Sequence, residues 1–363
     1  MRWALLFVSL CSCAHQLEGA PAVANITLPA DHGAHLAQTE WWHFHGHLRD
    51  ARGRKYDFFL GFVRWHTDGD RFLGVPVRLA VDPGQVAVFC VTDEHGRRYF
   101  GREKYAFPDV WAASAATGRL ELSHDDWTAK GTARGMALSA STRDAELSLT
   151  LGEGKPVVLE GEGGRFVADG TAHLFYTLPR LPASGALTLD GERVAVTGEA
   201  WVKHEWGFLY SERIAGWTWF GAQFDDGTEL QIGLIRDHEW REVDGSFAEL
   251  IEADGAVRRL ELTRVGVMQT GEAWTSPSTS ITWPVRWRLE LPEERGVLEL
   301  TTDVPQQELD AFPAAIWAGS FAVRGELRGR AVRGRAMVEV FGLSQPYLRR
   351  FFSSGPPPEE TQR

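Results

Sequence analysis

His204 is the first residue whose type and setting could do chemistry. Successive side chains of a strand face opposite sides of the sheet, so His204 shares a face with Trp206, while Glu205 points the other way. A histidine in a dry aromatic setting can serve as a general acid or base. From the residues alone, a structural histidine bonded to a carbonyl or a carboxylate is the commoner case. Both interpretations stay open.

Two carboxylates are candidate partners of this histidine. Glu40 shares a strand face with Trp42, and a desolvated glutamate beside tryptophan has a raised pKa that suits a general acid. The alternative is a buried glutamate that holds loop amides. Asp237 follows a neighbouring strand and is the second candidate. The predicted catalytic residues are therefore His204, Glu40 and Asp237.

A row of three histidines alternates along one predicted strand: His43, His45 and His47. Two histidines at this spacing can reach one metal ion, with His35 or His66 as a third ligand. This arrangement would suit a metal-dependent hydrolase. We favour the simpler interpretation, in which the row lines a barrel wall, and expect neither a metal nor another cofactor.

Aromatic residues form a candidate ligand surface. Trp217 and Trp219 share one strand face, where Gly221 leaves room beside them, and small-molecule pockets are mostly apolar. A tryptophan pair that fills the core between two domains is an equal alternative. The predicted ligand-binding residues are Trp42, Trp206, Trp217, Trp219 and Glu205.

The elements that must position these residues are strands. Short runs of alternating polarity are closed by turn signals, and no long helical pattern interrupts them. The clearest hairpin joins Trp217–Phe224 to Glu229–Ile235 through Asp225-Asp226-Gly227. Strands at this spacing predict antiparallel meanders, which barrels or sandwiches protect at their edges. We therefore predict an all-β protein.

The bulk properties limit the organisation and the partners. The length of 363 residues favours two domains, which we place at residues 28–190 and 191–348 as two barrels packed together. The net charge of -11 disfavours nucleic acid, because phosphate backbones need clustered basic residues. The 15 Trp and 20 Phe serve cores and apolar pockets alike.

The N-terminal segment has the layout of a bacterial export signal. Arg2 precedes the apolar run Trp3–Leu10, and Leu10-Cys11-Ser12-Cys13 is similar to a lipobox. We predict a leader over residues 1–22 and lipidation at Cys13, with plain cleavage as the alternative. The protein would then be exported to the periplasm or outer membrane and anchored by lipid. Residues 353–363 are Pro-rich and polar, which predicts a disordered tail.

Three segments carry a family resemblance. The first comprises residues 31–35 and 39–48, the second residues 198–207 and 215–220, and the third residues 276–287 and 307–319. Their motifs include Thr39-Glu40-Trp41-Trp42, Lys203-His204-Glu205-Trp206-Gly207 and Gly216-Trp217-Thr218-Trp219-Phe220. In order and spacing they resemble the lipocalin-like family of AttH proteins and carotenoid 1,2-hydratases. The resemblance spans about residues 28 to 345 and implies two lipocalin-like antiparallel β-barrels.

The resemblance also implies a range of activities. Relatives include hydratases that add water to isoprenoid double bonds, and cyclases that gather a polyene. Two family acids are replaced here, by Lys203 and by Ala318, and protonating an alkene needs a strong acid. We therefore expect first a protein that binds an apolar lipid or isoprenoid in a barrel pocket. The alternative is a hydro-lyase or cyclase with His204 as acid or base.

Overall fold

The structure is a computed structural model. It describes residues 26–66, 71–72, 75–76, 84–106, 113–207, 213–310 and 315–343. The predicted leader with Cys13, and the predicted tail over residues 353–363, lie outside the described residues. Across the described segments, no helix is both long enough and apolar enough to cross a membrane.

The described residues of the first half form fifteen strands after a short 3-10 helix at Ala30–His32. Their bounds are β1 Thr39–Asp50, β2 Lys55–Trp65, β3 Arg71–Phe72, β4 Val75–Pro76, β5 Gly84–Asp93, β6 Arg98–Ala106, β7 Ala113–Ala115, β8 Glu121–His124, β9 Trp127–Thr132, β10 Gly135–Ser141, β11 Ala145–Leu151, β12 Val158–Leu159, β13 Arg165–Ala168, β14 Thr171–Leu189 and β15 Glu192–Gly207. The strands β3 and β4 pair only with each other, and the other thirteen form one sheet.

In the second half, the segments that the structure describes form twelve strands and two more 3-10 helices, at Leu262–Arg264 and Pro292–Glu294. The strand bounds are β16 Ile214–Phe224, β17 Glu229–Asp237, β18 Phe247–Ile251, β19 Val257–Arg259, β20 Gly266–Gln269, β21 Ala273–Thr275, β22 Thr282–Pro284, β23 Arg286–Leu291, β24 Gly296–Thr301, β25 Glu308–Leu309, β26 Ile316–Leu327 and β27 Arg330–Phe341. Ten of them form the second sheet, and β21 pairs with β22.

The first sheet is a nearly closed barrel and the second a half-barrel. The order of the first is β6-β5-β2-β1-β15-β14-β11-β10-β9-β8-β7, with β12 and β13 beside β14. The second runs β19-β18-β17-β16-β27-β26-β24-β23-β20, with β25 beside β26. The protein thus has the predicted all-β, two-barrel, lipocalin-like fold.

Period-two alternation explains how the strands fill the barrels. In β11, buried and exposed side chains alternate without a break, because one face meets the core and the other meets solvent. Glycine permits the predicted hairpin between β16 and β17, since Gly227 adopts a φ of 87°. The interior of the first barrel is filled by large apolar side chains, among them Trp42, Phe44 and Phe89.

The strand β15 joins the two predicted halves. It pairs with β1 on one side and with β14 on the other, so it belongs to the first sheet. The predicted division between residues 190 and 191 therefore does not coincide with the division between the sheets. The reason is the tight turn at Asp190-Gly191, which folds β15 back along β14 instead of starting a new sheet.

The two barrels pack through the outward face of β1, β2 and β15. An apolar cluster that includes Phe59 and Trp201 from the first sheet meets Trp219 and Met337 from the second. Buried ion pairs also cross this interface. One of them joins Asp57 to Arg335, and its geometry is used below.

Candidate active site

Glu40 and His204 meet at the end of the first barrel. Trp42 and His204 are paired across β1 and β15, which places Glu40 on the same inward face. The Glu40 Oε1 atom lies 2.9 Å from His204 Nε2, and both side chains are buried. The Trp42 ring stacks on His204 at a centroid distance of 4.6 Å. The structure thus brings together two of the three predicted catalytic residues, and their catalytic roles stay predictions.

The segment before β1 adds a second imidazole to Glu40. His35 Nδ1 lies 2.8 Å from the same Oε1 atom, and the His35 backbone N–H donates to both carboxylate oxygens at 3.1 Å. The His35 ring is parallel to Trp206 at 4.0 Å, and its Nε2 atom lies 3.2 Å from Asp31 Oδ1. Arg64 approaches the other Glu40 oxygen at 3.6 Å. Glu40 therefore holds one loop amide as well as two histidines.

Sequence reasoning missed Tyr176 as a member of this cluster. Tyr176 lies opposite His204 in the β14–β15 register, and its hydroxyl is 3.3 Å from His204 Nδ1 and 2.6 Å from His32 Nδ1. His204 Nδ1 also lies 3.0 Å from the backbone carbonyl oxygen of Asp31. Only strand register brings Tyr176 here, so no motif pointed to it.

Burial and close contacts set the charges of the cluster. Burial lowers the pKa of His204, although the Glu40 contact opposes this shift. Burial also lowers the pKa of His32 to about 4. For Glu40, burial would raise the pKa, but the contacts with His204 and His35 outweigh it, so the net shift is downward. The prediction of a raised Glu40 pKa is therefore wrong, because it did not include two imidazoles on the carboxylate.

Asp237, the third predicted catalytic residue, lies in the second barrel and takes part in a turn. Its Oδ1 accepts hydrogen bonds from the backbone N–H groups of Glu239 and Arg241, each at 2.9 Å. Its Oδ2 accepts from the Arg241 side chain, also at 2.9 Å. This local pairing holds the turn after β17, and the partner of His204 is Glu40.

The predicted ligand-binding residues divide between two sites. Trp42 and Trp206 surround His204, whereas Trp217, Trp219 and Glu205 line a cavity of about 40 Å³ between the barrels. The space expected beside Gly221 is occupied, because a Cβ atom there would lie 2.1 Å from the Trp219 ring.

The predicted histidine row faces the second barrel, and its members have different neighbours. His43 Nδ1 lies 3.2 Å from Glu339, and His47 Nδ1 lies 2.6 Å from Asp57. His45 packs against Trp201 and Trp219. The row is therefore part of the packed interface between the two barrels.

Lys203, which the family resemblance places at the position of an acid, makes a buried ion pair. Its Nζ atom lies 2.7 Å from Glu339 Oε1 and 3.7 Å from the centre of the Trp219 ring. Ala318, the second altered position, lies opposite Glu339 in the β26–β27 register. A buried lysine–glutamate pair thus forms at the first altered position, and the second altered position lies beside it.

One group of side chains in the described segments has the spacing of metal ligands. The donor atoms of His35, Glu40 and His204 all lie within 4.8 Å of one another. Each offers one nitrogen or oxygen atom to a common point. The cluster can therefore hold and polarise a small polar species, either a water molecule or a cation.

The chain is similar in sequence and in structure to proteins of one known family. The sequence pattern of the AttH-like family matches residues 20–343. A putative AttH protein from Nitrosomonas europaea has a similar structure, with a TM-score of 0.77 and 26% identity over 90% of this chain and 100% of that one. No curated protein sequence matches the chain.

Two more distant structures share the fold. Kievitone hydratase from Nectria haematococca has a TM-score of 0.71 and 16% identity, over 90% of this chain and 96% of that one. CghA, solved with Sch210972, has a TM-score of 0.57 and 15% identity, over 91% and 96%. Identities this low show the fold alone. The family pattern, in contrast, covers most of the sequence, and the chain belongs to the AttH-like family.

Proposed function

We propose that the protein is a hydro-lyase, which adds water to a carbon–carbon double bond of an apolar substrate or removes it. Addition places the water oxygen on one carbon and a proton on the other, and removal reverses both. Neither direction needs an oxidant or a reductant. The proposed centre is the cluster of His35, Glu40 and His204.

The observation that carries this proposal is the convergence of two imidazoles on one buried carboxylate oxygen, at 2.8 and 2.9 Å. Polar groups fixed in advance in a dry site can orient and polarise a reacting water molecule at little further cost. Within the described segments, the cluster meets solvent where the side chains of His35 and Asp31 are 23% and 25% exposed. A substrate can reach the held water from this side.

Simple storage of a lipid in a barrel has less support. The cavity between the barrels measures about 40 Å³. Pockets for drug-sized ligands have volumes of roughly 300 to 1,000 Å³. Core side chains such as Trp42 and Phe44 fill the first barrel. Kievitone hydratase, which shares the fold, favours chemistry over storage.

Isotope transfer from water tests the proposal. The purified protein is incubated in ¹⁸O-water with acyclic isoprenoid polyenes, and separately with alkenes conjugated to a carbonyl group. Mass spectrometry should detect products that carry one ¹⁸O-hydroxyl. Glu40→Gln and His204→Ala should lower the rate by at least about 100-fold, the usual scale for such groups, with an unchanged circular dichroism spectrum.

Glu146→Gln is the matched control, because Glu146 lies on the exposed face of β11 and outside the cluster. It should retain the wild-type rate. No product with either substrate class, or an unchanged rate in Glu40→Gln, would overturn the proposal.

We also propose that the protein works outside the cytoplasm, tethered by a lipid on Cys13. The charged start and the apolar run of residues 3–10 support export, and the lipobox-like Leu10-Cys11-Ser12-Cys13 supports the anchor. An apolar substrate dissolved in a membrane would then lie close to the protein.

A further inference from the structure

We propose that His35 Nδ1, Glu40 Oε1 and His204 Nε2 bind one divalent transition-metal ion. The inference rests on the proposed function for its role, since the ion would activate the reacting water. Its structural basis is independent of that function. It lies in the donors and acceptors that surround the rings of His35 and His204.

The contacts of His204 determine which of its ring nitrogens carries a proton. Its Nδ1 atom lies 3.0 Å from the backbone carbonyl oxygen of Asp31, and a carbonyl oxygen only accepts, so Nδ1 must carry the proton. In a neutral imidazole, Nε2 then has a lone pair. That lone pair points at Glu40 Oε1, another acceptor, 2.9 Å away. A cation between the two atoms resolves the conflict.

His35, like His204, has an acceptor oxygen next to each of its ring nitrogens. Its Nε2 atom lies 3.2 Å from Asp31 Oδ1, which accepts the ring N–H, and its Nδ1 atom lies 2.8 Å from Glu40 Oε1. Metal-binding histidines commonly donate their other ring N–H to a carboxylate or a backbone carbonyl in this way. Asp31 supplies both acceptors here, one from its side chain and one from its backbone.

The contacts of the two histidines with Glu40 can be satisfied in two ways. Without a metal and with Glu40 ionised, every contact is a hydrogen bond only if both imidazoles carry two protons. Two imidazolium ions would then share one carboxylate oxygen, with ring centres 5.6 Å apart, and His204 is fully buried. One divalent ion supplies the same two positive charges at a single point, with both histidines neutral.

Distances and donor types agree with this choice. An ion with bonds of about 2.05 Å has adjacent donor atoms about 3.3 Å apart at tetrahedral angles, and about 2.9 Å apart at the right angles of octahedral coordination. Both nitrogen–oxygen distances to Glu40 Oε1 match the shorter of these lengths. Two imidazoles and one carboxylate suit zinc, iron, cobalt or manganese, whereas calcium and magnesium prefer oxygen ligands. The ion can enter along the partly exposed edge at His35 and Asp31.

Direct metal binding tests the inference without reference to catalysis. Protein without a histidine tag is stripped with a chelator, dialysed and titrated with Zn²⁺ by calorimetry at pH 7. The wild type should bind one ion per chain with a Kd below about 10 µM. With Co²⁺, it should develop visible d–d absorption bands.

Substitutions assign the site. His35→Ala should abolish the tight binding and the cobalt bands, and the partial exposure of His35 makes this variant unlikely to disturb the core. Glu40→Gln should do the same. Asp31→Ala should weaken binding about 10- to 100-fold, because it removes the side-chain acceptor that orients His35. His95→Ala, at an exposed turn, is the matched control and should bind as the wild type does.

The outcomes separate this inference from the proposed function. A wild type without a tight site, or tight binding retained in both His35→Ala and Glu40→Gln, overturns the metal site. Hydration that persists in metal-stripped protein supports the proposed function and overturns the metal's role. One tight ion with no hydration of either substrate class leaves the metal site standing and overturns the function.

Discussion

Asp57 joins the two barrels through a buried ionic group that can be tested directly. Its carboxylate on β2 accepts hydrogen bonds from Ser320 Oγ at 2.6 Å and from Arg335 Nη2 at 2.7 and 2.9 Å, both in the second barrel. His47 Nδ1 lies 2.6 Å away. The substitution Asp57→Asn keeps the side-chain volume but removes the charge opposite Arg335.

The magnitude follows from the pKa of this carboxyl group. Burial raises it, but the Arg335 charge and the His47 contact outweigh burial and lower the pKa from 3.8 to about 2. One pKa unit corresponds to about 1.4 kcal/mol, so the ionised carboxylate stabilises the fold by roughly 2 to 3 kcal/mol. The pKa is lower in the folded state, so this stabilisation is present above about pH 4 and disappears as the pH falls to about 2.

Urea unfolding, followed by tryptophan fluorescence, measures the effect at several pH values. At pH 7, Asp57→Asn should lower the free energy of unfolding by about 2 to 3 kcal/mol, because Arg335 loses its main buried partner. The difference from the wild type should shrink towards zero near pH 2. Asp144→Asn, an exposed control, should change stability by less than about 0.5 kcal/mol. A constant difference from pH 7 to pH 2, or none at pH 7, would refute the reasoning.

Three further predictions concern other parts of the chain. Burial and nearby Glu249 raise the pKa of Glu160 well above 4.5. The free energy of unfolding of the wild type therefore falls as the pH rises above 4.5. Glu160→Gln should therefore have a higher thermal midpoint than the wild type at pH 8 but not at pH 4. Gly221→Ala should cost about 1 to 3 kcal/mol in urea unfolding, since its Cβ meets the Trp219 ring; an unchanged midpoint would contradict the packing. Cys13→Ser should move the protein from the membrane fraction to the soluble fraction of its own cells, and unchanged partition would exclude the anchor.

The strand content and the faces of the strands could be predicted from the sequence. Alternating polarity has a period of two only in a strand, and it places Glu40 with Trp42 and His204 with Trp206. The motif resemblance supplied the two-barrel architecture. These inferences depend on covalent order and local geometry, which the sequence states directly.

Strand register and loop paths required the tertiary structure. Asp237 is closer to His204 in sequence than Glu40 is, yet the pairing of β1 with β15 makes Glu40 the partner of His204. The β14–β15 register adds Tyr176, and the chain before β1 folds back to add His35 and Asp31.

The sequence by itself thus determined that the protein is built of strands, and which side chains share a face. The tertiary structure decided which faces meet and which charges become partners. Glu40 shows the physical reason, because its pKa direction depends on two imidazoles from distant parts of the chain. Contacts between segments far apart in sequence are fixed by packing and register, and the local periodicity of the sequence does not predict them.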